Sequence, residues 1–558
     1  MTTHPVLTVK EDLTLELEFP GWSRAMMDAT RENLICWKRR RGSDEKLWSP
    51  PMMLAMWEAK ETYPRLQVSP QNREKLRLLA LDRIEVSPGT PSFKSLKPVQ
   101  IEPTSKLWRR SKAILTAAPG LGKTVMALVA LSERHVDLLV VIVPLTSFDG
   151  WAEEIAKWLL PSLSRYDFWM WRERSQVKPL DDRDKPLVVL TTPSVITGIT
   201  DMQSEYGEGL GSVFMDATQI DSFLILDESF LYQNRKSGRT EDMTELSCNF
   251  ANIWMLSGMP ISTANDDLFS QLKILYPTVF SSYWKFAKRY CLIESNFWGT
   301  KIVGNKLDSE EILRRDLEDI VISCEYPENV PGWIVRSEPC PMTPRQEEIY
   351  VSAKEKLAVD AKTLGSEKPL GIKKLIALTT RLLQIASNPL TLKGVDESGK
   401  WDRLLELLGS GPQPALIWVK YRITAKEIAR KIGYQYPLYR VASVTGTTKP
   451  TERYQHVKSF QEGKLDVLIL NDSVGKYSLT LTAARVAYYL ERNFDGEAYY
   501  QSLYRARRIT SPHPVEIVHL LSTYSSGDPT IDQVVHNTLL DRSQNAQRLT
   551  IGQLIGSC

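Results

Sequence analysis

The chain has 558 residues, of which 42% are hydrophobic and 25% charged, proportions that supply every domain with a core and exclude global disorder. At about 150 residues per domain the length implies three to four domains. Lysine and arginine (70) almost balance aspartate and glutamate (67), so the formal charge of +3 does not by itself announce a nucleic-acid partner. Six cysteines stand far apart, with no C-x-x-C pair, which argues against a zinc site or a disulfide scaffold and for a reducing interior. No apolar run reaches the ~18 residues of a membrane helix, and a soluble, unexported protein is expected.

In chain order, residues 13–19 alternate apolar and polar, a basic run follows at 38–41, and tryptophans stand at 22, 37, 48 and 57. A separate α+β module is expected over residues 1–90, joined to the rest through the Pro- and Ser-containing stretch 86–98. Further on, short β-branched runs at 138–143, 187–190, 223–226, 415–419 and 467–470 each precede a helical pattern. Continuous apolar strands between helices indicate parallel sheets covered on both faces. They fall into two groups, with a charged stretch of helical pattern from about 280 to 410 between them. The fold expected is α/β: two P-loop lobes, over 91–330 and 331–558, each with a helical insertion, and the small N-terminal module.

Three motifs carry chemistry. Ala117-Ala118-Pro119-Gly120-Leu121-Gly122-Lys123-Thr124 has the phosphate-loop pattern with Ala in place of the first glycine. Glycines let backbone N–H groups curl around phosphate oxygens, Lys123 reaches the β- and γ-phosphates, and Thr124 ligates Mg²⁺. The second motif, Leu224-Ile225-Leu226-Asp227-Glu228, is an apolar strand ending in two acids. Asp227 would hold Mg²⁺ and Glu228 would orient or deprotonate the attacking water. The third is Gln501-Ser502-Leu503-Tyr504-Arg505-Ala506-Arg507-Arg508. On a helix Gln501, Arg505 and Arg508 share one face, from which the arginines would stabilise charge on the γ-phosphate. Each motif taken alone has an ordinary reading as a glycine turn, a strand-end acid pair or a solvated basic face.

Taken in order, these blocks resemble the Swi/Snf family of superfamily 2 helicase-related ATPases over most of residues 96–520. Leu96-Lys97-Pro98-Val99-Gln100 resembles the adenine-reading segment, which makes Gln100 the candidate base contact. Residues 140–151 resemble motif Ia, 187–192 the strand with a Thr-Thr end, and Leu256-Ser257-Gly258-Met259-Pro260 motif III. Residues 383–389 and 398–400 resemble the entry to the second lobe, 479–484 the end of motif V, and 501–509 motif VI. The resemblance implies two RecA-like lobes, ATP and Mg²⁺ as cofactors, and duplex DNA, plain or branched, as a largely sequence-independent partner. DNA contacts implied by motif match are Thr146, Ser147, Thr191, Thr192, Lys420, Lys476 and Thr482. Three departures bear on coupling: Phe230 where the family has His, Met259 where it has Thr, and Gly475-Lys476-Tyr477-Ser478 in place of a glycine-rich entry to motif V.

The N-terminal module resembles the HARP-like domain of annealing-helicase relatives through Trp37, the basic run and Lys46-Leu47-Trp48-Ser49-Pro50. Those residues read equally as a fork-binding surface or as core tryptophans beside a solvated turn. The function expected is ATP-driven translocation on duplex DNA that remodels DNA or displaces bound protein. A nucleotide-gated DNA-binding switch and an unwinding helicase on DNA or RNA are the alternatives. A compact bacterial or phage motor, cytoplasmic or nucleoid-associated, is expected, or a nuclear one in a eukaryote.

Overall fold

The computed structural model describes residues 6–9, 15–18, 38–39, 46–49, 54–55, 58–59, 67–68, 93–159, 167–172, 186–197, 220–258, 265–296, 299–327, 332–364, 369–390, 395–411, 413–471, 481–508, 511 and 513–549. They form two units, 1–325 with 546–558, and 326–545.

In the first unit, β1 (Val6–Val9), β2 (Leu15–Glu18), β3 (Lys38–Arg39), β4 (Lys46–Ser49) and β5 (Gln67–Val68) make a mixed sheet in the order β3-β4-β2-β1-β5. The alternating segment becomes β2, whose Leu15 and Leu17 are buried. Lys38 and Arg39 of the basic run and the Lys-x-Trp segment lie on adjacent antiparallel strands, with Lys38 opposite Trp48 and Arg39 opposite Leu47.

The main sheet of this unit is wholly parallel. Its strands are β6 (Lys112–Ala117), β7 (Leu138–Ile142), β8 (Asp167–Trp171), β9 (Leu187–Thr191), β10 (Ser222–Leu226), β11 (Asn252–Ser257) and β14 (Val321–Cys324), in the order β14-β6-β11-β10-β7-β9-β8. Every residue of β7, β9, β10 and β11 is buried, as strands covered on both faces require. The 280–410 stretch is not purely helical. After the helix Tyr283–Tyr290 it makes an antiparallel hairpin, β12 (Cys291–Asn296) with β13 (Gly299–Asn305), in which polar and apolar residues are mixed. Their mixed polarity hid it, because β13 is largely solvated and carries no apolar run.

The second unit is built on another parallel sheet, β15 (Trp333–Pro341), β16 (Ala415–Val419), β17 (Val441–Val444), β18 (Val467–Asn471), β19 (Val486–Tyr489) and β20 (Val515–Thr523), in the order β15-β20-β19-β16-β18-β17. The edge position of β15 explains how it tolerates Pro339 and Pro341, since an edge strand has one row of N–H groups with no ladder partner. Among the described cysteines, Cys248, Cys291, Cys324 and Cys340 are free thiols. No helix among the described residues is long and apolar enough to cross a membrane.

Candidate active site

Three chain segments reach one edge of the first unit's parallel sheet. β6 ends at Ala117 and runs into the phosphate loop, β10 ends at Leu226 just before Asp227, and β11, between them, ends at Ser257 just before Gly258. Neighbouring strands lie about 4.8 Å apart, so β6 and β10 bring their ends within about 10 Å of each other. This carboxyl-end edge is where open α/β sheets bind ligands. The basic stretch Arg109-Arg110-Ser111-Lys112 lies at the opposite end of β6. There Lys112 Nζ donates to the Leu275 carbonyl at 2.9 Å, and burial lowers its pKa.

The loop itself turns on glycine. Gly120 (φ 92°) and Gly122 (φ 84°) are both left-handed, and Gly122 caps the helix Lys123–Ser132. Gln100, 6% exposed on the helix Pro98–Trp108, donates from Nε2 to the Leu121 carbonyl at 2.7 Å and accepts from the Lys97 N–H at 2.9 Å. The amide assigned to base reading is therefore also a brace for the phosphate loop. Ala118 and Leu121 are buried beneath the loop, while Pro119, Gly120, Gly122, Lys123 and Thr124 are half-buried at its mouth. Lys123 Nζ donates to the Ala117 carbonyl at 3.2 Å. A Cβ on Gly258 would stand 3.2 Å from Pro119 Cγ and 3.5 Å from Lys123 Nζ, so this glycine keeps the third segment close to the loop.

Asp227 is 6% exposed, and its Oδ2 accepts from Trp151 Nε1 at 2.7 Å. Burial first, then the charge of Glu228, pushes its carboxyl up to about 7, against the opposing pull of Lys123 and the Trp151 hydrogen bond. Glu228 is half-buried and left-handed (φ 49°, ψ 59°), a conformation that costs a non-glycine residue on the order of 1 kcal/mol and occurs at functional sites. Ser229 Oγ, next along, donates to Gln271 Oε1 at 2.7 Å. The donor set fits Mg²⁺, a hard cation that takes oxygen ligands: a threonine hydroxyl, a carboxylate, and phosphate oxygens of the nucleotide.

In the second unit Gln501 and Arg505 share a face of the helix Gly496–Ala506. Arg508 does not continue that face, because the helix ends at Ala506 and Arg507 is extended (φ −113°, ψ 123°). Arg507, just past the helix end, lies with its guanidinium 4.3 Å from the Tyr326 ring centroid and 5.0 Å from that of Trp333. Arg505 is 8% exposed, and its carbonyl accepts from Leu481 N at 2.9 Å, which ties motif VI to motif V. Burial lowers the pKa of Arg508, whose N–H donates to Ser511 Oγ at 2.8 Å.

The nucleic-acid candidates separate by exposure. Thr191 and Thr192 are 0% and 2% exposed, and Thr192 Oγ1 lies 2.9 Å from Ser194 Oγ, so neither threonine presents its hydroxyl at the surface. Their burial follows from the end of β9 being covered on both faces. The exposed hydroxyl at this turn is that of Ser194, which the Thr-Thr pattern does not single out. Thr146 and Ser147 lie on the turn Leu145–Ser147 after β7, beside an exposed Leu145, and Ser147 Oγ donates to the Pro144 carbonyl. Thr482 Oγ1 accepts from Gln461 Nε2 at 3.0 Å. Lys476 and Met259 lie outside the described residues.

Lys420 is half-buried, and the strand end that carries it is held by a residue the sequence reading missed. Glu491, 4% exposed, accepts from the N–H groups of Lys420 (2.8 Å) and Tyr421 (2.9 Å) and from Thr424 Oγ1 (2.7 Å). Glu491→Ala is expected to destabilise the second unit by about 1–3 kcal/mol, the cost of orphaning buried donors, read as a lower denaturant midpoint.

The SNF2-related domain model matches residues 49–391 and the helicase conserved C-terminal domain model matches residues 399–510. The chain belongs to the SNF2-related family. Among curated SNF2 relatives it is 23% identical over 460 residues to the Xenopus tropicalis SWI/SNF-related matrix-associated actin-dependent regulator of chromatin subfamily A-like protein 1, covering 82% of this chain and 45% of that one. It is 22% identical over 453 residues to the Bos taurus DNA annealing helicase and endonuclease ZRANB3, covering 79% and 39%. The chain thus spans less than half the length of either relative. A solved structure, the Sulfolobus solfataricus SWI2/SNF2 ATPase core in complex with dsDNA, is similar at 22% identity and a TM-score of 0.35, over 84% of this chain and 95% of that one. Two parallel-sheet α/β lobes, with a phosphate loop and an acid pair in the first, accord with the SNF2-related family and its helicase-like ATPase class.

Proposed function

We propose that this chain is an ATP-driven translocase on duplex DNA, and that residues 1–90, 91–330 and 331–558 act as accessory module, first lobe and second lobe. The observation that carries it is the convergence of Gln100, the phosphate loop and the Asp227-Glu228 pair on one sheet edge, in a chain whose second unit matches the helicase C-terminal model. Thr124 and Asp227 would hold Mg²⁺, which neutralises charge on the β- and γ-phosphates when bound. Lys123 supplies a positive charge to the same oxygens, Glu228 takes the proton of the attacking water, and Gln501, Arg505 and Arg508 are the second lobe's proposed nucleotide residues.

Thr146, Ser147, Lys420, Thr482 and Lys476 are the proposed backbone contacts on DNA, with Ser194 in place of Thr191 and Thr192. Phosphate contacts carry no base information, so binding is sequence-independent and weakens with salt. A preference for branched DNA is supported by the relative named as an annealing helicase and by the pairing of Lys38 with Trp48 in the N-terminal sheet.

Displacement of a third strand from duplex DNA in the presence of ATP tests the reading directly. Displacement that depends on ATP hydrolysis is expected, and none from a folded, nucleotide-binding protein would overturn it. The switch reading has one observation in its favour: Phe230 offers no hydrogen-bonding group immediately after Asp227-Glu228-Ser229. That reading wins if duplex DNA leaves ATPase activity unchanged while ATP alters DNA affinity.

A further inference from the structure

The indole N–H of Trp151 has one use, since the ring is a donor only. Trp151 is 2% exposed, and it spends that donor on Asp227 Oδ2 at 2.7 Å. The contact joins positions 76 residues apart in the chain. The Asp227 backbone is anchored as well, its N–H donating to the Ile142 carbonyl at 3.0 Å where β10 pairs with β7. Asp227 is therefore held by one chain segment, its backbone at the end of β7 by Ile142 and its carboxylate from the helix Phe148–Trp158 by Trp151.

Between those two groups lies the turn Leu145–Ser147, with Leu145 67% exposed. The helix that follows is clamped at its start. Phe148 is buried, with the Arg172 guanidinium 4.6 Å from its ring centroid, and Arg172 also pairs with Asp149. Trp151 stands four residues after Ser147, about one helical turn, or about 6 Å along the axis. A displacement of the turn is carried to the indole by a rigid element rather than dissipated in a loop.

We propose that Trp151 is a positioning residue for hydrolysis: it occupies Oδ2 of Asp227, leaves Oδ1 for the metal shell, and transmits engagement of the Leu145–Ser147 turn by a nucleic-acid backbone to that carboxylate. The second half rests on the translocase reading; the first half does not. Groups that orient a metal-binding carboxylate alter metal affinity about 10–100-fold when removed, and couplings between separate sites are about 5–150-fold.

Trp151→Phe keeps an aromatic ring and removes the donor; Trp151→His keeps a ring N–H. Binding of a fluorescent ATP analogue is measured with EDTA and across a Mg²⁺ titration, with thermal melting as a fold control and ATPase rates with and without duplex DNA. The Phe variant is expected to bind nucleotide normally in EDTA, to need about tenfold more Mg²⁺ for the metal-dependent gain in affinity, and to lose at least about fivefold of its DNA stimulation at unchanged DNA affinity. Partial recovery of the Mg²⁺ response is expected in the His variant. An unchanged Mg²⁺ response in a folded Phe variant overturns the proposal. A Phe variant that fails to fold, or that loses EDTA-resistant nucleotide binding as well, assigns Trp151 to packing and also overturns it. Absence of DNA stimulation in the wild-type chain sinks the translocase reading alone, because the Mg²⁺ arm is read without DNA.

Discussion

Glu228→Gln is expected to bind Mg²⁺ and ATP as the wild-type chain does and to hydrolyse ATP about 10²–10⁴-fold more slowly, the range that general-base catalysis contributes. Glutamine matches glutamate in shape and meets the same left-handed backbone (φ 49°) at about the same cost, so the turn into Ser229-Phe230 is kept. What it loses is the ability to take a proton from water. Asp227, one residue earlier, is held by Trp151 and by the Ile142 carbonyl and does not depend on the Glu228 side chain for its place. Single-turnover hydrolysis together with filter binding of ATP separates the two effects. Turnover near the wild-type rate would remove Glu228 from the reaction, and a parallel loss of ATP binding would make its role one of structure.

The second large effect is expected at Gly122→Ala. At φ 84° a Cβ costs about 1–2 kcal/mol by itself. In this chain it would also stand 2.5 Å from Gln100 Nε2, an impossible approach that pushes the glutamine off the Leu121 carbonyl. Both the loop's shape and its brace are then lost, and ATP affinity is expected to fall at least about tenfold, each tenfold being 1.4 kcal/mol. Melting of the variant is expected to fall by a few degrees, since about 1–2 kcal/mol of backbone strain corresponds to about 2–4 °C per kcal/mol, which leaves the unit folded for the binding measurement. Normal ATP affinity would mean that the loop accepts nucleotide in another shape and that the Gln100 contact is dispensable.

Much of the site was legible in one dimension because its chemistry is local. A phosphate loop is a turn between a strand and a helix, and all of its functional N–H groups come from eight consecutive residues. The acid pair is likewise a strand end. The apolar runs at β7, β9, β10, β16 and β18 were legible for a related reason: parallel strands are buried on both faces and lose the alternation that a solvated strand would show. The solvated hairpin Cys291–Asn305 and the edge strand β15, which contains two prolines, violate that signal and went unseen.

Other patterns needed geometry to interpret them. Spacing puts Arg508 on the face of Gln501 and Arg505, but the helix ends at Ala506 and Arg507 is extended, held against Tyr326 and Trp333. The Thr191-Thr192 pair resembles a nucleic-acid contact by pattern, and the strand end that carries it is buried, with Ser194 exposed beside it.

By itself, then, the sequence determined the two parallel-sheet lobes, the phosphate loop, and the Asp227-Glu228 pair with its order along the chain. Each of these depends on residues close together in the chain, and residue type and spacing are enough to specify them. Only the tertiary structure decided that Gln100 braces Leu121, that Glu491 holds the segment from Lys420 to Thr424, and that Trp151 holds Asp227. Those contacts join positions 21, 71 or 67, and 76 residues apart. Such hydrogen bonds depend on how helices, loops and strands pack in space, and residue spacing along the chain does not encode that packing.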